Sequence, residues 1–115
     1  AAAAGLGPVE MNILTELWIG MPLLSYTATR GWSPDVMQRA VARLERRGWL
    51  RDGALTGEGL AERLRIEQRT DAQEQPIVAA LGDRLDEVCS HLNHWGQLCI
   101  EAGAFPPDIL KRAAG

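Results

Sequence analysis

One arrangement constrains the fold of this chain most strongly: a capped helix ended by glycine, followed by two short apolar segments around a tight turn. Ser33 precedes Pro34, and a hydroxyl side chain followed by proline at the first helical position predicts a helix start. Gly48 suits the left-handed geometry that ends helices. The apolar residues between them recur at the spacing of one helical face and are Val36, Met37, Ala40, Val41 and Leu44. The sequence therefore predicts a helix over residues 33–47.

Two short strands and a second capped helix are predicted directly after it. Residues 49–51 and 54–56 flank Asp52 and Gly53, a dipeptide typical of tight hairpin turns. The Thr56 hydroxyl can then cap a new helix, and Glu58 lies in its first turn, where the helix dipole favours negative charge. The order of helix, hairpin and capped helix is that of a winged helix-turn-helix.

The rest of the chain is also predicted to be helical. Further helices are expected over residues 8–19, 23–30, 57–74 and 83–102. Pro76 is expected to stop or kink the fourth helix, leaving residues 77–81 as an apolar turn or short helix. The last helix carries an apolar stripe at a regular helical period, formed by Leu85, Val88, Cys89, Leu92, Trp95 and Cys99. The predicted fold is mostly α, with three helices and a minimal β-hairpin wing followed by long C-terminal helices.

The length of 115 residues predicts a single winged-helix domain over residues 1–115. Within it, residues 8–56 would form the helix-turn-helix core and wing, and residues 57–110 the C-terminal helices. The first residue is not methionine and residues 1–4 are all alanine, so we expect a fragment of a longer protein. No apolar run approaches the roughly 20 residues that span a membrane, and no signal peptide is visible. We therefore expect a cytoplasmic protein without membrane contact.

Residues 39–61, "RAVARLERRGWLRDGALTGEGLA", resemble the segment from recognition helix to wing in MarR-like winged helix-turn-helix proteins. A closer resemblance, to the C-terminal part of an actinobacterial family of longer helix-turn-helix proteins, rests on four segments. They are "AGLGPVEMNILTELW" at 4–18, "TRGWSPDVMQRAVARLERRGWL" at 29–50, "LRIEQRTDA" at 64–72 and "EAGAFP" at 101–106. The MarR-like resemblance implies DNA binding, transcription regulation and a homodimer formed through the C-terminal helices.

The charge of the chain is unevenly spread. The net charge is −3, but residues 30–51 contain six arginines and two acidic residues, a local charge of +4, so the remainder carries −7. A basic segment on an acidic body is consistent with nucleic-acid contact at one face. A solvated helix face with internal ion pairs such as Asp35–Arg39 is the alternative.

Double-stranded DNA is the first candidate partner. Glutamine can pair bidentately with adenine and arginine with guanine in the major groove. The residues expected to read bases are Gln38, Arg39 and Arg43, and those expected to hold phosphates are Arg30, Arg46 and Arg51. Two features argue against DNA binding: the wing is a minimal turn, and the sequence pI is about 5.3, whereas phosphate attraction usually dominates such affinity.

A winged helix without DNA contact, serving as the C-terminal part of a small-molecule-binding or accessory protein, is the alternative function. Four tryptophans are many for this length, and aromatic side chains can line an apolar pocket. The candidate ligand-binding residues are Trp18, Tyr26, Trp32, Glu67, Thr70 and Asp71. Trp49 and Trp95 are instead expected in the core.

Neither metal binding nor catalysis is expected. Cys89, His91, His94 and Cys99 lie on one continuous helix and cannot converge on one ion; His91 is better placed to pair with Glu87. The two cysteines would lie about 15 Å apart by helical rise, beyond disulfide reach, so free buried thiols are expected. Glu67 and Asp71 share a helix face, but no nucleophile with a base and no phosphate loop accompanies them. We predict a non-enzymatic protein without a cofactor.

Overall fold

The computed structural model describes residues 5–110. Its elements in chain order are α1 (Pro8–Trp18), a 3₁₀ helix (Thr27–Arg30), α2 (Pro34–Arg46), β1 (Leu50–Arg51), β2 (Ala54–Leu55), α3 (Gly57–Leu81), a 3₁₀ helix (Gly82–Arg84) and α4 (Leu85–Glu101). This order confirms the predicted mostly α winged helix-turn-helix. None of the described helices is long and apolar enough to cross a membrane.

A single apolar cluster holds α1, α2, β1 and the start of α3 together. Its members are Leu6, Val9, Ile13, Leu14, Met37, Ala40, Val41, Leu44, Leu50 and Ile66. Trp49 is half-buried against this cluster, in line with its predicted core position. The cluster reaches α3 only as far as Ile66. The part of the fold formed by α1, α2, the hairpin and the start of α3, called the winged core below, therefore ends at Ile66, and the rest of α3 extends beyond it.

The connection between α1 and α2 is a turn built around Glu16 rather than the predicted helix over residues 23–30. The fully buried Glu16 carboxylate accepts hydrogen bonds from the backbone N–H groups of Leu24, Tyr26 and Thr27, with N···O distances of 2.6, 3.0 and 2.7 Å. Leu24 has a φ of 63°, in the left-handed region that helices exclude. Only Thr27–Arg30 forms a helical turn, of the 3₁₀ type. The helix prediction for residues 23–26 was therefore wrong.

Local capping sets the limits of α2 as predicted. The Ser33 hydroxyl accepts the amide of Val36 at 3.3 Å, and Pro34 is the first helical residue. Gly48 follows the helix with a φ of 75°, which a side chain would disfavour. The predicted boundaries of residues 33–47 hold to within a residue of the observed ones.

The wing is a minimal antiparallel hairpin in which Leu50 pairs with Leu55 and Arg51 with Ala54. Asp52 and Gly53 both have positive φ, 51° and 76°, as the tight turn requires. This short hairpin confirms the predicted strands and turn.

The base of the wing is fixed to the start of α3. The Thr56 hydroxyl donates to the Gly48 carbonyl at 2.5 Å and accepts the Gly59 amide at 3.1 Å. Gly59 also lies against the backbone of Trp49, where a Cβ atom would fall 2.1 Å from the carbonyl oxygen. Thr56 and Gly59 therefore set how closely α3 approaches the wing.

The α3 helix continues through Pro76 to Leu81, although it was predicted to end near residue 74. Residues 68–80 are all exposed. Water can therefore satisfy the carbonyl that loses its amide partner at the proline, which reduces the cost of proline inside the helix.

The α4 helix projects from the winged core and buries none of its own residues. Of the apolar stripe predicted on it, Leu85 and Val88 are half-buried and the other four residues are exposed, with Leu92 and Trp95 at 56% and 58% exposure. The radius of gyration is 16.8 Å, against about 13 Å for a compact chain of this length. Trp95 was thus wrongly predicted to lie in the core. Cys89 and Cys99 are free as predicted but exposed rather than buried.

Candidate nucleic-acid interface

The outward side of α2 carries most of the predicted DNA contacts. The buried side consists of Met37, Ala40, Val41 and Leu44. With about 100° of rotation per residue, the opposite side carries Asp35, Arg39, Ala42 and Arg46, with Gln38 and Arg43 on its flanks. The four predicted contact residues of this helix, Gln38, Arg39, Arg43 and Arg46, are all exposed.

Arg39 is paired with an acidic neighbour on the same helix. Its Nη1 lies 2.9 Å from Asp35 Oδ2, and the two side chains are 62% and 74% exposed. This is the internal ion pair that the alternative interpretation of the basic segment predicts. Exposed pairs of this kind contribute only about 0–1 kcal/mol, so Arg39 can exchange Asp35 for another acceptor at little cost.

Arg43 is held more firmly, by a residue of α1. Its Nε lies 2.5 Å from Glu10 Oε1, and the Glu10 side chain is 8% exposed. Burial raises the pKa of Glu10, but the hydrogen bond from Arg43 and the charges of Arg43 and Arg47 outweigh it and lower that pKa below its ordinary value of 4.5. The Arg43 side chain remains 44% exposed.

The other arginines of the basic segment lie around α2. Arg47 packs its guanidinium 4.8 Å from the centre of the Trp49 ring and donates to the Gly5 carbonyl at 3.0 Å. Arg30 lies 5.1 Å above the Tyr26 ring. Arg46 and Arg51 are exposed and form no ion pair within residues 5–110. The wing thus offers one arginine, with Asp52 at its tip.

A second cluster joins two of the predicted ligand-binding residues through one that was not predicted. Arg63 is 6% exposed; its guanidinium lies 4.2 Å from the Trp18 ring centre, and its Nη1 donates to Glu67 at 2.6 Å. Within residues 5–110 the buried Arg63 Nε has no hydrogen-bond partner. The four-residue spacing of Arg63 and Glu67 is visible in the sequence, but nothing in the sequence shows that Arg63 stacks on Trp18 in another helix.

The remaining candidate ligand residues have other surroundings. Thr70 donates its hydroxyl to the Ile66 carbonyl at 3.0 Å, within its own helix, and Asp71 is exposed. Trp32 packs against the core, and its buried Nε1 lacks a hydrogen-bond partner in the described part of the chain.

The titratable residues of α4 do not assemble a metal site. His91 Nε2 lies 3.9 Å from Glu87, as predicted, and the His91 ring stacks on Trp95 with 6.1 Å between centroids. Across residues 5–110 no three His, Cys, Asp or Glu side chains are grouped so as to hold an ion.

An exposed helix with a basic outward side, preceded by a turn around the buried Glu16 carboxylate and followed by a hairpin, defines a winged helix-turn-helix protein. Residues 1–106 match the family described as the Helix-turn-helix family, and because the match covers most of the chain, the chain belongs to it. Membership indicates nucleic-acid binding as the general class of function, and such domains are typically not enzymes. Comparisons with curated proteins and with solved structures gave no match.

Proposed function

We propose that this domain is the DNA-binding module of a cytoplasmic transcription regulator, with α2 entering the major groove of double-stranded DNA. The single observation that carries the proposal is the exposure of Gln38, Arg39 and Arg46 on the outward side of a capped helix. Gln38 and Arg39 lie in the first turns of α2, where recognition helices reach base edges. They read bases, whereas Arg46 holds a phosphate.

Arg43, Arg30 and Arg51 complete the proposed contact surface. Arg43 engages Glu10 through Nε, which leaves its terminal nitrogens for a base or phosphate. Arg51 is exposed on the wing and Arg30 on the turn before α2, where each supports a phosphate contact at the edge of the surface.

The proposal includes a homodimer formed through the C-terminal helices, as in the MarR-like proteins that the sequence resembles. Two copies would present two α2 helices to half-sites about one helical turn apart. The projecting α4 helix, with its exposed apolar residues, supports this arrangement.

Fluorescence anisotropy on a labelled random duplex at low salt tests the proposal. We expect binding by the wild type and loss of at least about tenfold in affinity for Arg39→Ala combined with Arg46→Ala, since each phosphate or base contact contributes about 1–3 kcal/mol. Arg69→Ala combined with Arg84→Ala removes the same charge from exposed positions outside α2 and should leave affinity nearly unchanged. Equal losses in both double variants, or no binding by the wild type, would contradict the proposal.

The second candidate is a winged helix that binds a small molecule or supports a larger protein without touching DNA. The observation that favours it is the Trp18–Arg63–Glu67 cluster, where a buried guanidinium retains one donor that no group of the described residues accepts. Unpaired buried donors are uncommon and often belong to functional sites. If the random duplex does not bind, thermal-shift screening with small carboxylates, comparing the wild type with Arg63→Met, tests this alternative.

A further inference from the structure

The end of α2 that is proposed to face base edges carries an acidic side chain. Asp35 is the second residue of α2, and its side chain is 74% exposed. At 100° of rotation per residue, Asp35, Arg39 and Arg46 fall within about 40° of one another on the outward side of the helix. The helix dipole favours a carboxylate in the first turn, but the same carboxylate repels DNA phosphates. Asp35 therefore stabilises the helix and also affects which groups of a duplex can approach it.

Asp35 engages Arg39 through a contact between Oδ2 and Nη1, which lie 2.9 Å apart. A guanidinium group has five N–H donors, so Arg39 keeps donors for a further acceptor while Asp35 holds its Nη1. Guanine offers O6 and N7 side by side in the major groove, and arginine binds them bidentately. Arg39 can therefore bind guanine without giving up its ion pair.

A DNA phosphate is a poorer partner for the same arginine. It carries a full negative charge, which would come close to the Asp35 carboxylate if Arg39 bound it. Like charges at such a distance repel each other, whereas the edge of guanine is uncharged. The ion pair therefore disfavours a phosphate and favours a base as the acceptor for Arg39.

The neighbouring arginines of α2 are not restricted in this way. Arg46 is exposed and forms no ion pair within residues 5–110. Arg43 is held by Glu10 of α1, whose side chain is only 8% exposed, so this carboxylate lies beneath the surface. Asp35, by contrast, lies on the surface that a duplex would approach.

We propose that Asp35 is a specificity-determining residue of the DNA site, which positions Arg39 for a guanine and keeps it from phosphates. This role rests on the proposed function, to which it adds a guanine at the base pair that faces Arg39. Asp35 is a positioning residue, because it acts through Arg39. Its loss strengthens binding to random sequences and weakens the preference for one sequence over another.

Selection from a duplex library with a randomised core gives the sequence that the wild type binds best. Fluorescence anisotropy then measures the specificity ratio, which is the affinity for the selected duplex divided by the affinity for a random duplex. Asp35→Asn should lower the specificity ratio about fivefold or more, the lower end of the discrimination that a bidentate arginine–guanine pair provides. Glu45→Gln removes the same charge from another exposed position of α2 and should retain the wild-type ratio.

A double-mutant cycle tests whether Asp35 acts through Arg39. Arg39→Ala should lower the specificity ratio at least as much as Asp35→Asn, and the double variant should lower it no further than Arg39→Ala alone. Selection repeated with Arg39→Ala should lose a preference for guanine at one position of the selected sequence. A general loss of folded protein would reduce both affinities equally and leave the ratio unchanged.

The outcomes separate the role of Asp35 from DNA binding itself. An unchanged specificity ratio in Asp35→Asn, or losses that add in the double variant, would overturn the role of Asp35 while leaving DNA binding by α2 intact. A selected sequence from which Arg39→Ala removes no guanine preference would do the same. Failure of the wild type to bind any duplex would contradict the proposed function, and the role of Asp35 with it.

Discussion

Glu10 in α1 holds Arg43 in α2, with 2.5 Å between Oε1 and Nε. The pair ties the proposed recognition helix to the first helix of the core at a point where the carboxylate is almost fully buried. Arg43 therefore orients α2 through Nε, and under the proposed function its remaining nitrogens contact DNA. The sequence pattern did not predict this ion pair, because 33 residues separate Glu10 from Arg43.

The Glu10–Arg43 pair should make folding stability depend on pH in the acidic range. The pKa of Glu10 is lowered in the folded state, so its stabilisation is present above the unfolded pKa and is lost as pH falls through the folded pKa. Glu10→Gln should cost about 1–3 kcal/mol at neutral pH and reduce this acid dependence. Urea unfolding between pH 7 and pH 3 measures the loss of folding stability at neutral pH and the dependence of that stability on pH. Glu45→Gln, at an exposed position of α2, is the control; an identical pH profile for Glu10→Gln and wild type would contradict the assignment.

Glu16 should be among the most sensitive residues in the domain. Its buried carboxylate accepts three backbone amides, and charged acceptors of this kind contribute more than neutral ones. In Glu16→Gln one amide hydrogen would face an NH₂ group, so we expect a loss of about 2–3 kcal/mol in urea unfolding. Glu74→Gln on the exposed part of α3 should change stability by less than about 0.5 kcal/mol. If Glu16→Gln and Glu74→Gln reduced the free energy of unfolding equally, the Glu16 carboxylate would not stabilise the turn through its hydrogen bonds.

Gly59 is required by the contact between α3 and the wing. A Cβ atom there would overlap the Trp49 carbonyl, and the backbone cannot move aside without breaking the Thr56 cap. Gly59→Ala should therefore cost about 3 kcal/mol in thermal or urea unfolding. Gly57→Ala, where an added Cβ meets nothing within 4 Å, is the matched control and should be neutral or stabilising by up to about 1 kcal/mol. A Gly59→Ala variant as stable as Gly57→Ala would contradict this steric requirement.

The parts of the fold that the sequence predicted are those fixed by local chemistry. The caps at Ser33 and Thr56 and the Asp52–Gly53 turn act through atoms a few residues away. Long-range partners were missed, since a sequence pattern does not show that Glu16 faces three amides or that Arg63 stacks on Trp18.

The errors in the C-terminal helices have two causes. A periodic apolar stripe predicts a covered surface but does not say which molecule covers it, so Trp95 and both cysteines were placed in the core of a single chain. Pro76 was expected to stop or kink the helix because proline is costly inside a helix. Exposure of the surrounding backbone removes much of that cost.

The salt dependence of duplex binding tests the central claim most directly. Anisotropy titrations of the wild type, Arg46→Ala and Arg69→Ala on one labelled duplex give the slope of log Kobs against log salt concentration. We expect a steep negative slope for the wild type, a slope smaller by about 1 for Arg46→Ala because one phosphate contact is lost, and no change for Arg69→Ala. Absence of binding at the lowest salt, or a slope that Arg46→Ala leaves unchanged, would contradict DNA recognition by α2.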